Sequence, residues 1–174
     1  MRCFSRFTYL FWLLISGVYL ADTVITLSPS QAADATASQR YSITSITDGD
    51  SIRSHDIRIR LHGIDAPEMR QMCRDQSGKD YQCGHSAKTY LQDLLRTSSE
   101  VMCQHLDTDR YQRKIMRCFA KGIDINAAMV RAGWAVAYRR YSVDYIAEEI
   151  AAKQDKKGLW QGHFEFPETW RRNH

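Results

Sequence analysis

The sequence lacks the motifs of several common enzyme and metal-site classes. Its 174 residues contain no C-x-x-C pair, no two histidines four residues apart, and no serine or cysteine nucleophile motif. His55, His62, His85 and His105 are therefore weak candidates for metal ligands, and a zinc cluster is disfavoured. Internal repeats and low-complexity blocks are also absent beyond residue 32, which favours one ordinary globular domain.

A large excess of charge of one sign is also missing. The chain has 24 basic and 20 acidic residues, a formal net charge of +4. Residues 1–32 hold two of the basic and one of the acidic residues, so the remainder carries +3. This surplus is compatible with polyanion binding but does not indicate it alone, so the clustering of charges matters more than their total.

The N-terminal segment has the pattern of a secretory signal peptide. Two arginines precede an apolar run over residues 9–20, and small residues at Ser30 and Ala32 fit a cleavage site after Ala32. We expect residues 1–32 to be removed and residues 33–174 to form one secreted or periplasmic domain. A retained membrane anchor is the alternative, although an aspartate interrupts the apolar stretch.

Four cysteines follow the predicted signal: Cys73, Cys83, Cys103 and Cys118. In an oxidising compartment they predict two disulfides, for which three connectivities exist. Cys103 and Cys118 lie symmetrically about a predicted charged turn, which would place them opposite each other on a hairpin. We therefore predict the pairs 73–83 and 103–118.

The order of apolar patterns predicts an α+β domain built around a small antiparallel barrel. Strand patterns dominate between residues 40 and 61 and between residues 101 and 119, with Asp48-Gly49 as a hairpin turn signal. Residues 69–83 have the composition of a polar loop. The other predicted elements are a helix from about Ser86 to Arg96, a helix starting at Asp124 or Asn126 and ending at Gly133, a short strand from Trp134 to Tyr138, and a helix from about Val143 to Lys156 with Ile146, Ile150 and Ala151 facing inward.

Four acidic side chains fall within one short stretch of the chain. If the fold draws them together, they repel one another, so their ionisation requires a bound cation or a raised pKa. Oxygen ligands favour calcium or magnesium over zinc or copper. The four residues are Asp48, Asp50, Asp65 and Glu68.

An alternating strand precedes two of these acids. Arg58 and Arg60 share one face of the predicted strand, a pattern that by itself is more typical of a solvated surface than of a binding site. Strict alternation would send the side chains of Arg60 and Asp65 to opposite faces. A bend or bulge near Gly63 is therefore needed to bring them together.

Three motifs occur in a fixed order: DGDS at 48–51, RLHGIDAPE at 60–68 and DRYQR at 109–113, with GLW near the end at 158–160. Each alone is weak, because Asp, Gly and Pro are common in turns. Together, over about residues 41–160, they resemble the thermonuclease family, the staphylococcal-nuclease-like secreted phosphodiesterases. The resemblance implies a five-stranded antiparallel OB-type barrel with three α-helices and one calcium ion at its mouth. It also implies an endonuclease that hydrolyses DNA and RNA with little sequence preference and needs no stable protein partner.

The resemblance also implies roles for individual residues. Asp50, Asp65 and the backbone carbonyl of Ala66 correspond to the calcium ligands, and Asp48 to an acid that supports them. Glu68 corresponds to the residue that orients or deprotonates the attacking water. The implied phosphate-binding arginines are Arg60 and Arg113, and the implied substrate-pocket residues are Arg110, Tyr111 and Tyr138.

The chain departs from the family pattern at several positions. Ser51 and Ala66 stand where threonine is common, and both changes preserve the implied contacts. Gln112 occupies a position often held by glycine, and if that turn needs a positive φ, glutamine costs about 1 kcal/mol and could misaim Arg113. The loop around Cys73 and Cys83 could also reshape substrate access. A catalytically weak nucleic-acid-binding or protein-interaction barrel is the alternative reading.

Overall fold

The computed structural model describes residues 37–98 and 100–174. The predicted signal peptide, residues 1–32, lies outside the described residues. In the part of the chain that is described, no helix is long and apolar enough to cross a membrane.

Eleven strands are described, and most of them belong to one curved sheet. The pairing order in this sheet is β1-β8-β9-β4-β3-β2, and β10 pairs with β9. Its first and last strands, β1 and β2, are separated in the chain by only two residues, so both ends of the sheet meet at one short segment. The strands are β1 Ser38–Ser42, β2 Ser45–Ile46, β3 Ser51–Ser54, β4 Ile57–Leu61, β5 Ile64–Asp65, β6 Met72–Arg74, β7 Asp80–Gln82, β8 Glu100–Thr108, β9 Lys114–Ala120, β10 Ile123–Asp124 and β11 Val136–Ala137.

Four α-helices and one 3-10 helix complete the α+β fold. Helices α1 and α2 supply buried side chains such as Leu91 and Met129 to the main core beneath the sheet. Two further small sheets, β5 with β11 and β6 with β7, lie outside the main sheet. The helices are α1 Cys83–Leu95, α2 Ile125–Arg131, α3 Ile146–Gln154 and α4 Pro167–Asn173, with the 3-10 helix at Gly158–Gln161.

Strand β4 follows the predicted alternation from Arg58 onward, whereas Ile57, predicted to share the buried face, is exposed. Ile59 and Leu61 are buried in the core, whereas Arg58 is exposed and Arg60 is partly exposed. Because apolar side chains of one strand face share the core, the basic side chains are left on the opposite face. The sequence pattern therefore places Arg60 at the edge of the core, as expected.

The predicted hairpin and both disulfides are confirmed. Cys103 and Cys118 pair directly across β8 and β9 and form one disulfide, and Cys73 and Cys83 form the other. Asp124 is the N-cap of α2, where its side chain accepts a hydrogen bond from the backbone N–H of Ala127 at 3.0 Å. This capping matches the predicted start of the second helix.

Several predicted boundaries and details were wrong. Residues 69–83 contain the β6–β7 hairpin, and the disulfide links Cys73 in β6 to Cys83 at the start of α1, directly after β7. Helix α1 begins at Cys83 rather than Ser86, and the strand predicted over 134–138 is reduced to β11. The main sheet is also not purely antiparallel, since β4 and β9 pair in parallel.

The third helix and the tail differ most from the prediction. Helix α3 covers only Ile146–Gln154, and Ile150, predicted to face inward, is 48% exposed. The buried positions are instead Glu149 and Ala152. The C-terminal tail, for which no element was predicted, forms α4, so residues 37–98 and 100–174 contain four α-helices rather than three.

Candidate active site

Asp50 and Asp65 come together at one end of the sheet, where both contact Arg60. The guanidinium of Arg60 donates one hydrogen bond to Asp50 Oδ1 and another to Asp65 Oδ1, each at 2.9 Å. The two aspartates are almost fully buried, with 3% and 1% of their surfaces exposed. Two buried carboxylates are therefore held by a single forked cation.

Local backbone geometry brings these three residues together. Ser51, which follows Asp50, pairs with Arg60 across β3 and β4. Gly63 has a φ of +72°. The turn at this residue changes the side of the chain to which the following side chains point. The predicted bend near Gly63 is thereby confirmed, because it allows Asp65 to reach Arg60 despite their odd separation.

Strand β11 holds Asp65 from the other side. Val136 pairs with Asp65, and the backbone N–H of Ala137 donates to the buried Glu149 carboxylate at 2.9 Å. Arg139 and Lys153 form ion pairs with the same carboxylate. Glu149 therefore connects α3 to the strand pair that carries Asp65.

Glu68 lies on a tightly packed loop beside this pair. Its backbone N–H donates to the side chain of Gln71 at 3.2 Å, and its carbonyl accepts from the backbone N–H of Gln71 at 2.8 Å. Gln71 is fully buried and also donates to the carbonyl of Glu165 at 2.6 Å. The Glu68 loop is thus fixed both within itself and to the C-terminal segment.

Arg171, from α4, joins the acidic residues. It donates to Asp65 Oδ1 at 2.9 Å, to Asp65 Oδ2 at 3.0 Å and to Glu68 Oε1 at 2.8 Å. The contact between Asp65 and Glu68 is therefore mediated by a second guanidinium. Arg171 lies more than one hundred residues from Asp65 and Glu68 in the sequence.

The acidic group retains an excess of negative charge. Burial and the nearby charge of Asp50 raise the pKa of Asp48 to about 7. Burial also raises the pKa of Asp65 to about 6, although hydrogen bonds from Arg171 act in the opposite direction. Four carboxyl groups facing Arg60 and Arg171 would therefore be stabilised in their ionised form by a further cation.

The donor chemistry fits a hard metal ion in part. Among residues 37–98 and 100–174, no three His, Cys, Asp or Glu side chains are arranged to hold a metal. The ligand set expected from the sequence is smaller, with two carboxylates and the backbone carbonyl of Ala66. The Ala66 N–H donates to Asp50 Oδ2 at 3.0 Å, so Ala66 lies beside the first expected ligand. Oxygen donors and unbalanced negative charge suit calcium or magnesium.

The second predicted arginine lies in the turn between β8 and β9. Arg113 directly precedes Lys114, which pairs with Ile59 on the strand that carries Arg60. Its Nε donates to Asp109 Oδ2 at 2.7 Å. Gln112 has a φ of +62°, so the positive φ expected at this position is present.

Asp109 organises this turn. Its Oδ1 accepts from the backbone N–H groups of Tyr111 and Arg113, both at 2.9 Å. Burial acts to raise the pKa of Asp109, but hydrogen bonds from Arg113 outweigh it and lower this pKa. One carboxylate therefore fixes both the backbone and the guanidinium of Arg113.

The three predicted substrate-pocket residues lie in two aromatic groups. Tyr111 is more than half exposed, and the guanidiniums of Arg110 and Arg113 lie 4.8 and 5.6 Å from its ring centroid. Tyr138 packs edge-on against Tyr141 at 4.8 Å. Burial and the charge of Asp65 raise the pKa of Tyr138, which indicates that this second group adjoins the acidic residues.

Sequence reasoning missed Arg171, Gln71 and Glu149. Glu149 could have been found from the sequence, because it lies three residues before Ala152 and shares the buried face of α3 with it. Arg171 and Gln71 had none, because their roles depend on how the C-terminal segment packs against a loop about one hundred residues earlier.

Comparison with known proteins identifies the family to which the chain belongs. The sequence profile described as "Staphylococcal nuclease homologue" matches residues 58–162. A "Succinoglycan biosynthesis protein ExoI" from Rhizobium meliloti (strain 1021) is 34% identical over 119 residues, which are 67% of this chain and 62% of that protein. The chain thus spans less than two thirds of that relative.

Two further relatives are covered more fully. An "Uncharacterized endonuclease" from Escherichia coli O157:H7 is 34% identical over 68% of this chain and 74% of its own length. A "Micrococcal nuclease" from Shigella flexneri is 33% identical over 79% of this chain and 83% of its own length. With the family profile matched over more than half of its residues, this chain belongs to the staphylococcal nuclease homologue family.

Proposed function

We propose that this protein is a calcium-dependent endonuclease that hydrolyses phosphodiester bonds in DNA and RNA with little sequence preference. Membership of the nuclease family supports an endonuclease in general terms. The observation that carries the finer proposal is the convergence of Asp50, Asp65 and Arg60, with Glu68 joined to Asp65 by Arg171.

The proposed metal ligands are Asp50, Asp65 and the carbonyl of Ala66. A calcium ion held there would supply positive charge to the phosphoryl oxygens. The burial of both aspartates and their shared contact with Arg60, which holds them close together, support this assignment. Oxygen ligands favour a hard cation over zinc.

The chain's own residues would carry out the remaining chemistry. Glu68, about one third exposed, can reach solvent and accept a proton from water or orient it. Arg60 and Arg113 remain protonated at neutral pH and can bind phosphate oxygens through two N–H groups each. Each of these electrostatic contacts would supply about 3 to 4 kcal/mol of transition-state stabilisation.

The proposed nucleotide contacts come from aromatic rings and a further arginine. Tyr111 presents an exposed face for base stacking, and Arg110 lies beside it. Tyr138 would act from the side of the acidic residues. Because every base has a π-face, stacking of this kind tolerates sequence variation.

The two disulfides support a secreted or periplasmic location, since such bonds persist in oxidising compartments. The signal peptide predicted over residues 1–32 is consistent with this proposal.

Replacement of Glu68 by Gln tests the catalytic assignment. The variant keeps the shape and the acceptor oxygen but loses the carboxylate, so we expect kcat for DNA cleavage to fall by about 100-fold or more. Glu100→Gln on the exposed end of β8 is the matched control, and its kcat should be unchanged. Unchanged turnover in Glu68→Gln would remove Glu68 from the mechanism. DNA binding without cleavage by the unaltered protein would favour a binding module instead.

A further inference from the structure

Arg171 lies outside the segment that the family profile matches, yet it contacts two residues of the proposed site. Its guanidinium engages both oxygens of Asp65 and one oxygen of Glu68 at 2.8 to 3.0 Å. The profile ends at residue 162, nine residues earlier. The C-terminal segment therefore contributes a side chain from outside the matched residues.

Helix α4 is held in place by several contacts, so Arg171 is not a loose side chain. Glu168, in the first turn, forms an ion pair with Arg140 at 3.2 Å. The segment before the helix accepts a hydrogen bond from the buried Gln71 at the carbonyl of Glu165. The Asn173 side chain donates back to the Glu165 carboxylate at 2.6 Å. Arg171 is consequently presented to Asp65 by an anchored element.

The hydrogen bonds of Asp65 leave little room for another ligand. A carboxylate offers roughly four acceptor positions. Oδ1 accepts from Arg60 and Arg171, and Oδ2 accepts from Arg171, so three of these positions are taken. A divalent ion would also have to lie next to a guanidinium of the same sign, at calcium–oxygen distances of about 2.3 to 2.6 Å.

We propose that Arg171 is an affinity-determining residue of the metal site, an internal cation that competes with the divalent cation for Asp65. This inference rests on the proposed function. When the metal binds, Arg171 leaves Asp65, and its contact with Glu68 is released or rearranged in the same step. The C-terminal helix thereby sets the calcium concentration at which the site fills.

Calcium titration by calorimetry on the full chain tests the competition without using activity. Arg171→Gln removes the competing charge, so its calcium dissociation constant should fall at least about tenfold. Arg172→Gln is the matched control, because the neighbouring Arg172 contacts only Thr169 through its side chain in the described structure. Its dissociation constant should stay within about twofold of that of the unaltered protein.

Amide hydrogen exchange on the unaltered protein provides a second measurement that needs no variant. Calcium should accelerate exchange in residues 167–173, because the helix loses its contact with Asp65. Unchanged or slower exchange there on saturation with calcium would overturn the proposal.

The possible failures are distinguishable. If the unaltered protein binds calcium and Arg171→Gln binds it no more tightly, the competition is wrong while the proposed function stands. If neither protein binds calcium, the proposed metal site and the competition both fail.

Discussion

Gly84, near the start of α1, packs directly against the loop that carries Glu68. A Cβ built at this position would lie 2.0 Å from the carbonyl oxygen of Glu68 and 2.9 Å from the Cα of Met69. Both contacts are with backbone atoms, which cannot rotate away as a side chain could. The position of Glu68 therefore depends on the absence of a side chain at residue 84.

Gly84→Ala should displace the Glu68 loop. Because small misplacements of a catalytic group are costly, we expect kcat for DNA cleavage to fall by about 100-fold, together with a loss of stability. Thr89→Ala, on the exposed side of the same helix, is the control and should leave both quantities nearly unchanged. Full activity in Gly84→Ala would show that Glu68 does not need its observed position.

Gln112→Gly addresses the strained turn before Arg113. Glutamine at a φ of +62° is in the left-handed region, where a Cβ costs about 1 kcal/mol relative to glycine. We expect the free energy of unfolding in urea to rise by up to about 1 kcal/mol. Gln104→Gly within β8 should instead lower it, because glycine weakens a strand interior. A loss of stability in Gln112→Gly would contradict the strain argument.

At the residue scale, the site was predictable where local pattern determined it. The alternation of β4 and the glycine at 63 were enough to bring Arg60 and Asp65 together. The roles of Arg171 and Gln71 were not predictable, because neither lies in a periodic segment near its partners. Long-range packing of the tail decides those contacts.

At the scale of elements, the strand pair β5–β11 carries Asp65 and is supported by α3. The support passes through one buried carboxylate, Glu149, which accepts from Ala137 and pairs with Arg139 and Lys153. Removing this buried carboxylate leaves its hydrogen-bond and ion-pair partners unsatisfied. The loss of stability is therefore larger than for an exposed ion pair.

Glu149→Ala should lower the free energy of unfolding by about 3 kcal/mol, since the buried Ala137 N–H loses its acceptor and a cavity remains. Chemical denaturation measures this change. Glu148→Ala, the adjacent residue of the same type, makes no ion pair in the described part of the chain and is the matched control. Equal losses in the two variants would show that Glu149 does not support β11.

Element type was more predictable than element ends. The β8–β9 hairpin followed from its charged turn and its opposed cysteines, and α2 followed from its aspartate N-cap. Helix α3 was given the wrong phase because Ile150 has an apolar side chain, whereas the fold buries the charged Glu149. The usual preference for burying an apolar rather than a charged side chain is reversed there, because Glu149 forms ion pairs with residues outside its own turn.

At the scale of the whole molecule, the small net positive charge is less informative than the distribution of charge. Arg60 lies among the acidic residues, whereas Arg110 and Arg113 lie around Tyr111 in the turn between β8 and β9. A group of carboxylates beside arginines suits the phosphodiester hydrolysis that we propose. The family match over residues 58–162 supports a nuclease in general terms.

Calcium dependence of nucleic-acid cleavage by the purified protein tests the central claim most directly. DNA and RNA should be hydrolysed when calcium is present, hydrolysis should stop when a chelator removes the ion, and it should resume when calcium is restored. Circular dichroism in parallel checks that the fold is intact under each condition. Undiminished cleavage in excess chelator, or no cleavage of either nucleic acid by folded protein in calcium, would contradict the proposed function.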